Sequence, residues 1–167
     1  MAEENQTAAP DAGSEEPKSV QVALQKLYLK DASFECPKGH KAFSGQWAPK
    51  INLDLNLTQS VVDEKHIETL LSLTVTATND EETAFLVEVH QAGIFLADGL
   101  NDQQKQQIAN TFCPNTLFPY AREAVDGLVS RGGFPPLMLA PINFDALYQQ
   151  QLAKAQAEQE AQAGESN

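Results

Sequence analysis

The chain has 167 residues and a formal net charge of −12, a length that suits one domain with tails and is enough to bury a core. Both ends are acidic, and the middle still carries an excess of acids over bases. An acidic body argues against binding to nucleic acid, because a phosphate backbone requires clustered Lys and Arg. It fits a basic protein partner, since opposite charge steers the encounter.

Residues 1–19 contain several acids and almost no large apolar side chain. They are predicted to form a disordered acidic tail, because too little apolar surface is available to offset the entropy of ordering. They also lack the basic start and apolar run of an export signal, and no stretch reaches the roughly 20 apolar residues of a membrane span. We therefore expect a cytoplasmic protein without direct membrane insertion, in which Cys36 and Cys113 stay reduced.

Four stretches have the alternating apolar and polar pattern of half-buried strands. They are residues 22–35, 51–58, 67–78 and 83 to about 91. The short turn at 79–82 predicts a hairpin between the last two, whereas 36–50 is a longer loop rich in proline and glycine. Short connections of this kind favour an antiparallel sheet with one covered and one wet face.

Three helical segments follow the strands. Asn101 or Asp102 is predicted to cap a helix that ends near residue 112, and Asn115 a longer one that ends at Gly132-Gly133. Asn143 is predicted to cap a last helix, which should fray after about residue 152 into a flexible tail rich in Ala, Gln and Glu, so that the folded domain spans 20–150 and the tail 151–167. The order of elements predicts an α+β fold, with a four-stranded antiparallel sheet and helices packed on one face.

One connecting loop, residues 132–141, is largely apolar, although loops normally lie at the surface. It is therefore either buried by something or binds something. The single tryptophan, Trp47, lies in the other long loop. Packing against the sheet edge and contact with a ligand are equally plausible roles for it.

The chain contains no phosphate-binding glycine loop, nucleophile elbow or zincin motif. Cys36 and His40 have the spacing of half a zinc site, with His66, His90 or Cys113 as conceivable further ligands, but there is no second close pair. The carboxylates Asp31, Glu35 and Glu88 lie on the outward strand face, where no enclosed pocket shifts their ionisation. The chemistry predicts a protein that is not an enzyme and has no cofactor or metal, with a small metal-dependent enzyme as the alternative.

Several segments resemble the SecB family of bacterial protein-export chaperones. The matching stretches are FCPNTLFPYARE (112–123), LVSRGGFPPLMLAPINFDAL (128–147), YLKDASFECP (28–37), Trp47-x-Pro49 and EETAFLVEVHQAGIF (81–95). The resemblance covers about residues 20–150. It implies a homotetramer, built as a dimer of dimers, that holds unfolded secretory precursors without ATP and delivers them to the SecA motor.

The resemblance also implies roles for individual residues. A patch that docks SecA's basic zinc-binding tail, whose metal belongs to the partner, would comprise Asp31, Glu35, Leu86 and Glu88. Positions linked to tetramer assembly would be Val87, Val89 and Gln91. A client groove between loops 36–50 and 132–141 would be lined by Trp47, Ile51, Leu53, Phe85, Phe134, Leu137 and Leu139. The alternative within the family is a general or toxin–antitoxin-linked holdase without SecA coupling.

Overall fold

The computed structural model describes residues 19–165, with side chains described to residue 161. The strands are β1 (Gln21–Glu35), β2 (Lys50–Val61), β3 (His66–Asn79) and β4 (Glu82–Asp98). The helices are α1 (Asp102–Asn110), α2 (Phe112–Arg131) and α3 (Phe144–Glu165), with a short 3-10 helix at Gly39–Phe43. The predicted N-terminal tail, except Ser19, lies outside the described residues.

The four strands form one antiparallel sheet in the order β1-β4-β3-β2. The α+β prediction is confirmed. Because β1 and β2 lie at opposite edges, residues 36–49 must cross one end of the sheet to connect them. This crossover segment carries Trp47.

The strand alternation divides the sheet into a covered and an open face. Leu73, Val75 and Val87 are fully buried on the covered face, where α2 supplies Leu117 and Val125. The intervening side chains of β3 are half-buried on the open face. Burial of several such side chains at roughly 1.5–3 kcal/mol each fixes the register, since a slip by one residue would expose them all.

Strand β4 extends to Asp98, well beyond the predicted end near residue 91. Gly93 interrupts the apolar alternation, and this is why the pattern ends early in the sequence. A Cβ at this position would lie 2.8 Å from Phe95 Cε2 and 2.9 Å from Leu117 Cδ2. The glycine therefore marks close packing of α2 on the strand and not its end.

The helix starts agree with the sequence in two of three cases. Asn101 forms a capping box with Gln104, as predicted for α1, and the Asn143 side chain accepts a hydrogen bond of 2.9 Å from the Ala146 amide at the start of α3. The predicted cap at Asn115 is wrong. Asn115 lies inside α2, and its amide donates to the Thr111 carbonyl at 3.1 Å. Pro119 is consequently in the helix interior and not in its first turn.

The last helix is longer than the sequence predicts. It continues past residue 152 to Glu165, although every side chain from 149 to 161 is exposed. Residues with high helix propensity extend it without tertiary contacts. The flexibility predicted for 151–167 stays a prediction.

Candidate functional site

An aromatic cluster forms where the crossover segment meets the loop that follows α2. Phe134 is its centre, and its ring centroid lies 4.9 Å from those of Phe43 and Phe85 and 5.2 Å from that of Trp47. Phe34 of β1 completes the cluster at 6.3 Å. The cluster thus joins both loops to the covered face of the sheet.

Two glycines allow the end of α2 to close over these rings. A Cβ at Gly132 would lie 2.2 Å from Phe34 Cζ, so no larger residue fits there without moving the ring. Gly133 has a φ of +86°, a left-handed conformation that glycine adopts freely. A Cβ at Gly133 would also press on the Phe43 ring at 3.3 Å. The helix stop predicted from the sequence therefore also shapes the cluster.

The apolar loop is tied to the side of α2. The Asp126 carboxylate accepts hydrogen bonds from the amides of Leu137 at 3.0 Å and Met138 at 3.3 Å. Arg122 Nη1 donates to the Leu139 carbonyl at 3.2 Å. The loop is partly buried and partly open, since Phe134 is 5% exposed and Met138 is 78% exposed. Composition left open whether this loop is buried or binds a ligand. Part of the loop is buried in the core, and part is exposed and available for binding.

A cleft of about 200 Å³ opens beside the cluster, lined in part by Phe43, Trp47, Phe134 and Pro135. Asn79, at the end of β3, holds the crossover segment by accepting from the Ala48 amide at 2.9 Å and donating to the Gln46 carbonyl at 3.1 Å. The apolar walls of the cleft suit an aromatic or aliphatic side chain, because such a side chain buries apolar surface against them.

The proposed groove residues fall into four groups. Trp47 and Phe134 line the cleft, whereas Phe85 is fully buried beneath it and can only support its floor. Ile51 is 42% exposed and belongs to a separate cleft beside the β3–β4 turn. The remaining three are half-buried against the core and do not line the cleft: Leu53, Leu137 and Leu139.

Sequence reasoning missed Phe43, which is 56% exposed yet stacked on Phe134. The available signal was its position four residues before Trp47 in an otherwise polar loop. The 3-10 helix Gly39–Phe43 turns this ring toward the cluster, and no sequence periodicity reveals that turn.

The four residues proposed to dock SecA lie together on the open face of the sheet. Glu35 pairs with Leu86 across β1 and β4, and Asp31 is two residues along β1 from Ser33, which pairs with Glu88. Glu88 Oε1 lies 2.5 Å from Nε2 of His90. The surface is thus acidic with an apolar side chain beside it.

A polar network lies farther along the same face. The Tyr28 hydroxyl donates to Glu68, and this bond lowers the pKa of Glu68 and raises the pKa of Tyr28 from their ordinary values. Lys30 Nζ lies 3.8 Å from the same carboxylate. Glu68 is therefore engaged within the chain, whereas among residues 19–161 no ion pair forms at Asp31 or Glu35 of the patch.

The three residues linked to assembly are on the covered face. Val87 and Val89 are fully buried, and Gln91 is 5% exposed with its Nε2 donating to the Tyr28 carbonyl at 2.9 Å. They contact this chain's own core. Any effect of these side chains on assembly must therefore pass through the sheet that they position.

Neither cysteine belongs to a ligand set in the described part of the chain. No group of three His, Cys, Asp or Glu side chains there lies close enough to hold a metal ion. The Cys36 thiol contacts the Gly39 carbonyl at 3.7 Å, and burial raises the pKa of Cys113 to about 12. His40 is exposed. Between residues 19 and 165, no helix has the length and apolarity needed to cross a membrane.

This chain is similar in sequence to proteins named as protein-export proteins. The family model for the preprotein translocase subunit SecB matches residues 15–155. The protein-export protein SecB of Marinobacter nauticus is 48% identical over 162 residues, covering 97% of this chain and 96% of that protein. That of Pseudomonas syringae pv. tomato is 54% identical over 136 residues, covering 81% and 83%.

A solved structure shares the fold. It is the SecB-like chaperone of Mycobacterium tuberculosis in complex with a peptide from the HigA1 antitoxin, with a TM-score of 0.60, 17% identity, and coverage of 73% of this chain and 91% of that one. At this identity the likeness supports the fold. The family model and the sequence relatives place this chain in the SecB family of protein-export chaperones, which are not enzymes.

Proposed function

We propose that this protein is an ATP-independent cytoplasmic chaperone that holds unfolded secretory precursors and delivers them to SecA. The observation that carries the proposal is the half-open aromatic cleft at Phe43, Trp47 and Phe134. Unfolded precursors expose the aromatic and aliphatic side chains that such a cleft accepts. The family relationship supports the same function.

The cleft is suited to weak, repeated binding. A buried aromatic or aliphatic side chain contributes roughly 1.5–3 kcal/mol, which is too little to hold a precursor at a single cleft. Several clefts on one assembly would raise the overall affinity through effective concentration. A chaperone that works in this way releases its client once a partner biases the equilibrium.

The proposal includes a homotetramer, a dimer of dimers, as implied by the family resemblance. Exposed large apolar side chains outside the cleft support an assembly, since they would otherwise stay in water. Leu29 on the edge strand β1 is 52% exposed, and Phe112 and Tyr120 on α2 are 42% and 46% exposed. Val87, Val89 and Gln91 would act on assembly through the core.

Docking of SecA is assigned to the open sheet face at Asp31, Glu35, Leu86 and Glu88. The carboxylates would attract the basic zinc-binding tail of SecA, and Leu86 would contribute apolar contact. The metal in that complex would belong to the partner. This patch is separate from the cleft, because the two lie on opposite faces of the sheet.

Light scattering after size exclusion, with and without an unfolded precursor, tests the chaperone proposal. A tetramer that shifts to a heavier complex supports it. Trp47 fluorescence should change on precursor addition, and Phe43→Ala should weaken the complex with little effect on assembly. A monomer that ignores unfolded chains contradicts the proposal.

The docking patch needs its own test, because it distinguishes an export chaperone from a general or toxin–antitoxin-linked holdase. Glu88→Lys should abolish capture of SecA's basic tail while precursor binding persists. Glu158→Lys is the matched control, since it makes the same charge change on α3, away from the sheet, where every side chain from 149 to 161 is exposed. Equal capture by both variants would reject SecA docking at this patch and favour the alternative.

A further inference from the structure

His90 is placed inside the acidic patch. Its Nε2 lies 2.5 Å from Glu88 Oε1, and the two side chains are 28% and 40% exposed. Across β1, His90 pairs directly with Asp31, and across β3 it pairs with Ser72. A potential cation is therefore in contact with one of the carboxylates proposed to attract a basic partner.

His90 is the base that contacts Glu88, because the nearby lysine on this face pairs with another carboxylate. Lys30 lies beside Glu68, with Nζ 3.8 Å from Oε2. No other base in the described part of the chain lies within ion-pair distance of Glu88. Within four register positions of His90, the open face of the four strands carries these charged or titratable groups: Lys26, Tyr28, Lys30, Asp31, Glu35, Asp54, Glu68 and Glu88.

Protonation of this imidazole changes the charge of the patch and the availability of the Glu88 carboxylate to a partner. Histidine is the side chain that ordinarily gains or loses its charge between pH 5 and 8. A protonated imidazole forms a charge-assisted bond to the Glu88 carboxylate and adds a positive charge beside Asp31. Both effects oppose the approach of a partner's ammonium or guanidinium group, so they act in the same direction.

We propose that His90 is an intramolecular competitor for the cationic partner of this patch, so that proton uptake by His90 weakens docking. The inference rests on the docking surface assigned under the proposed function. It adds that the protonation state of His90 sets how strongly that surface binds a cationic partner. Half-exposed ion pairs have modest strength, so we expect protonation to weaken binding by about two- to fivefold.

The test uses a peptide of lysine and leucine residues without His, Asp or Glu, with an acetylated α-amino group and a fluorophore that does not titrate between about pH 6 and 8, so that its own charge stays constant. Its affinity is measured by fluorescence anisotropy at about pH 8 and about pH 6, which bracket histidine titration, at constant ionic strength. The chains compared are native, His90→Gln, His66→Gln and Glu88→Gln. His66 is the matched control because it is 30% exposed and its Nδ1 lies 2.8 Å from Asp63 Oδ1.

Native protein and His66→Gln should bind about two- to fivefold more weakly at the lower pH, and His90→Gln should bind equally at both. Retention of the full pH dependence in His90→Gln, or its absence in the native chain, overturns the inference and leaves the docking surface intact. A peptide that binds without regard to Glu88→Gln, or fails to bind at either pH, overturns the docking surface and the inference with it.

Discussion

Replacement of Gly132 by alanine should strain the aromatic cluster from the end of α2. The backbone itself accepts alanine, because its φ is −72° and its ψ is −3°. The added methyl group is the difficulty, since it would lie 2.2 Å, 2.5 Å and 2.9 Å from three atoms of the Phe34 ring. That ring is stacked on Phe85 at 5.7 Å and lies 6.3 Å from Phe134. It can therefore move only by disturbing the cleft.

Two opposing effects set the magnitude. Overpacking of a filled cluster costs typically about 1–3 kcal/mol, whereas Gly→Ala at an allowed φ stabilises by about 0.4–1 kcal/mol through the unfolded state. We expect Gly132→Ala to lose about 0.5–2 kcal/mol of unfolding free energy. Gly127→Ala is the matched control in the same helix, because in the described part of the chain nothing beyond the adjacent residues and the backbone of the helix itself lies within 4 Å of its Cβ position. It should gain up to about 1 kcal/mol.

Urea denaturation at one fixed protein concentration measures both changes, because stability of an assembled protein depends on concentration. Trp47 emission provides a local readout, since Trp47 lies 5.2 Å from Phe134. Gly132→Ala should lower the midpoint and shift the native emission, and Gly127→Ala should raise the midpoint with unchanged emission. Equal stabilisation by both substitutions, with unchanged emission, would refute the packing argument.

Three further predictions concern capping, an ionic hydrogen bond and thiol reactivity. Asn101→Ala should cost about 1 kcal/mol in urea denaturation by removing the capping box of α1, and Asn101→Asp, which keeps the acceptor, should cost less. Tyr28→Phe should cost about 0.5–1.5 kcal/mol at neutral pH. The pKa of Glu68 is lowered in the folded state, so this cost is complete above its unfolded pKa of about 4.3 and is lost as pH falls through the folded value. A thiol reagent should modify Cys36 quickly in the native chain and Cys113 only on unfolding, because Cys113 is fully buried.

Each of these has a contradicting result. An unchanged urea midpoint for Asn101→Ala would mean that the cap contributes nothing to stability. A cost of Tyr28→Phe that persists undiminished in acid would show that it reflects packing of the ring and not the bond to Glu68. Equal native labelling of Cys36 and Cys113, with a Cys36→Ser variant as the reference, would show that Cys113 is accessible.

Strand and helix types could be predicted wherever one face is clearly apolar. The alternation in β3 predicted Leu71, Leu73 and Val75 as inward, and all three are fully buried. The errors arose at residue types that commonly occur in two different structural roles. The last strand was predicted to end near residue 91, but Gly93 lies inside β4 and allows close packing of α2. Asn115 was taken as a cap, although Cys113-Pro114 lie in the first turn of the helix.

The candidate site was less predictable, because loop residues carry no periodicity. The resemblance pointed to the two loops that meet at the cleft, and two of the residues it named, Trp47 and Phe134, line that cleft. It did not reveal Phe43, whose direction is set by a 3-10 turn. It also assigned Phe85 to the groove without distinguishing a buried floor from an open wall. Such distinctions depend on tertiary packing, which one-dimensional patterns do not specify.

The alternation of β4 places the two proposed functions on adjacent residues. Phe85 supports the cleft on the covered face, and Leu86, its neighbour in the chain, belongs to the proposed docking patch on the open face. A substitution at Leu86 that shifts the strand can therefore disturb the cleft as well. Glu88 lies two residues farther along, between Val87 and Val89, which the core holds in place. Charge changes at Glu88 should separate partner docking from client binding more cleanly than truncation of Leu86.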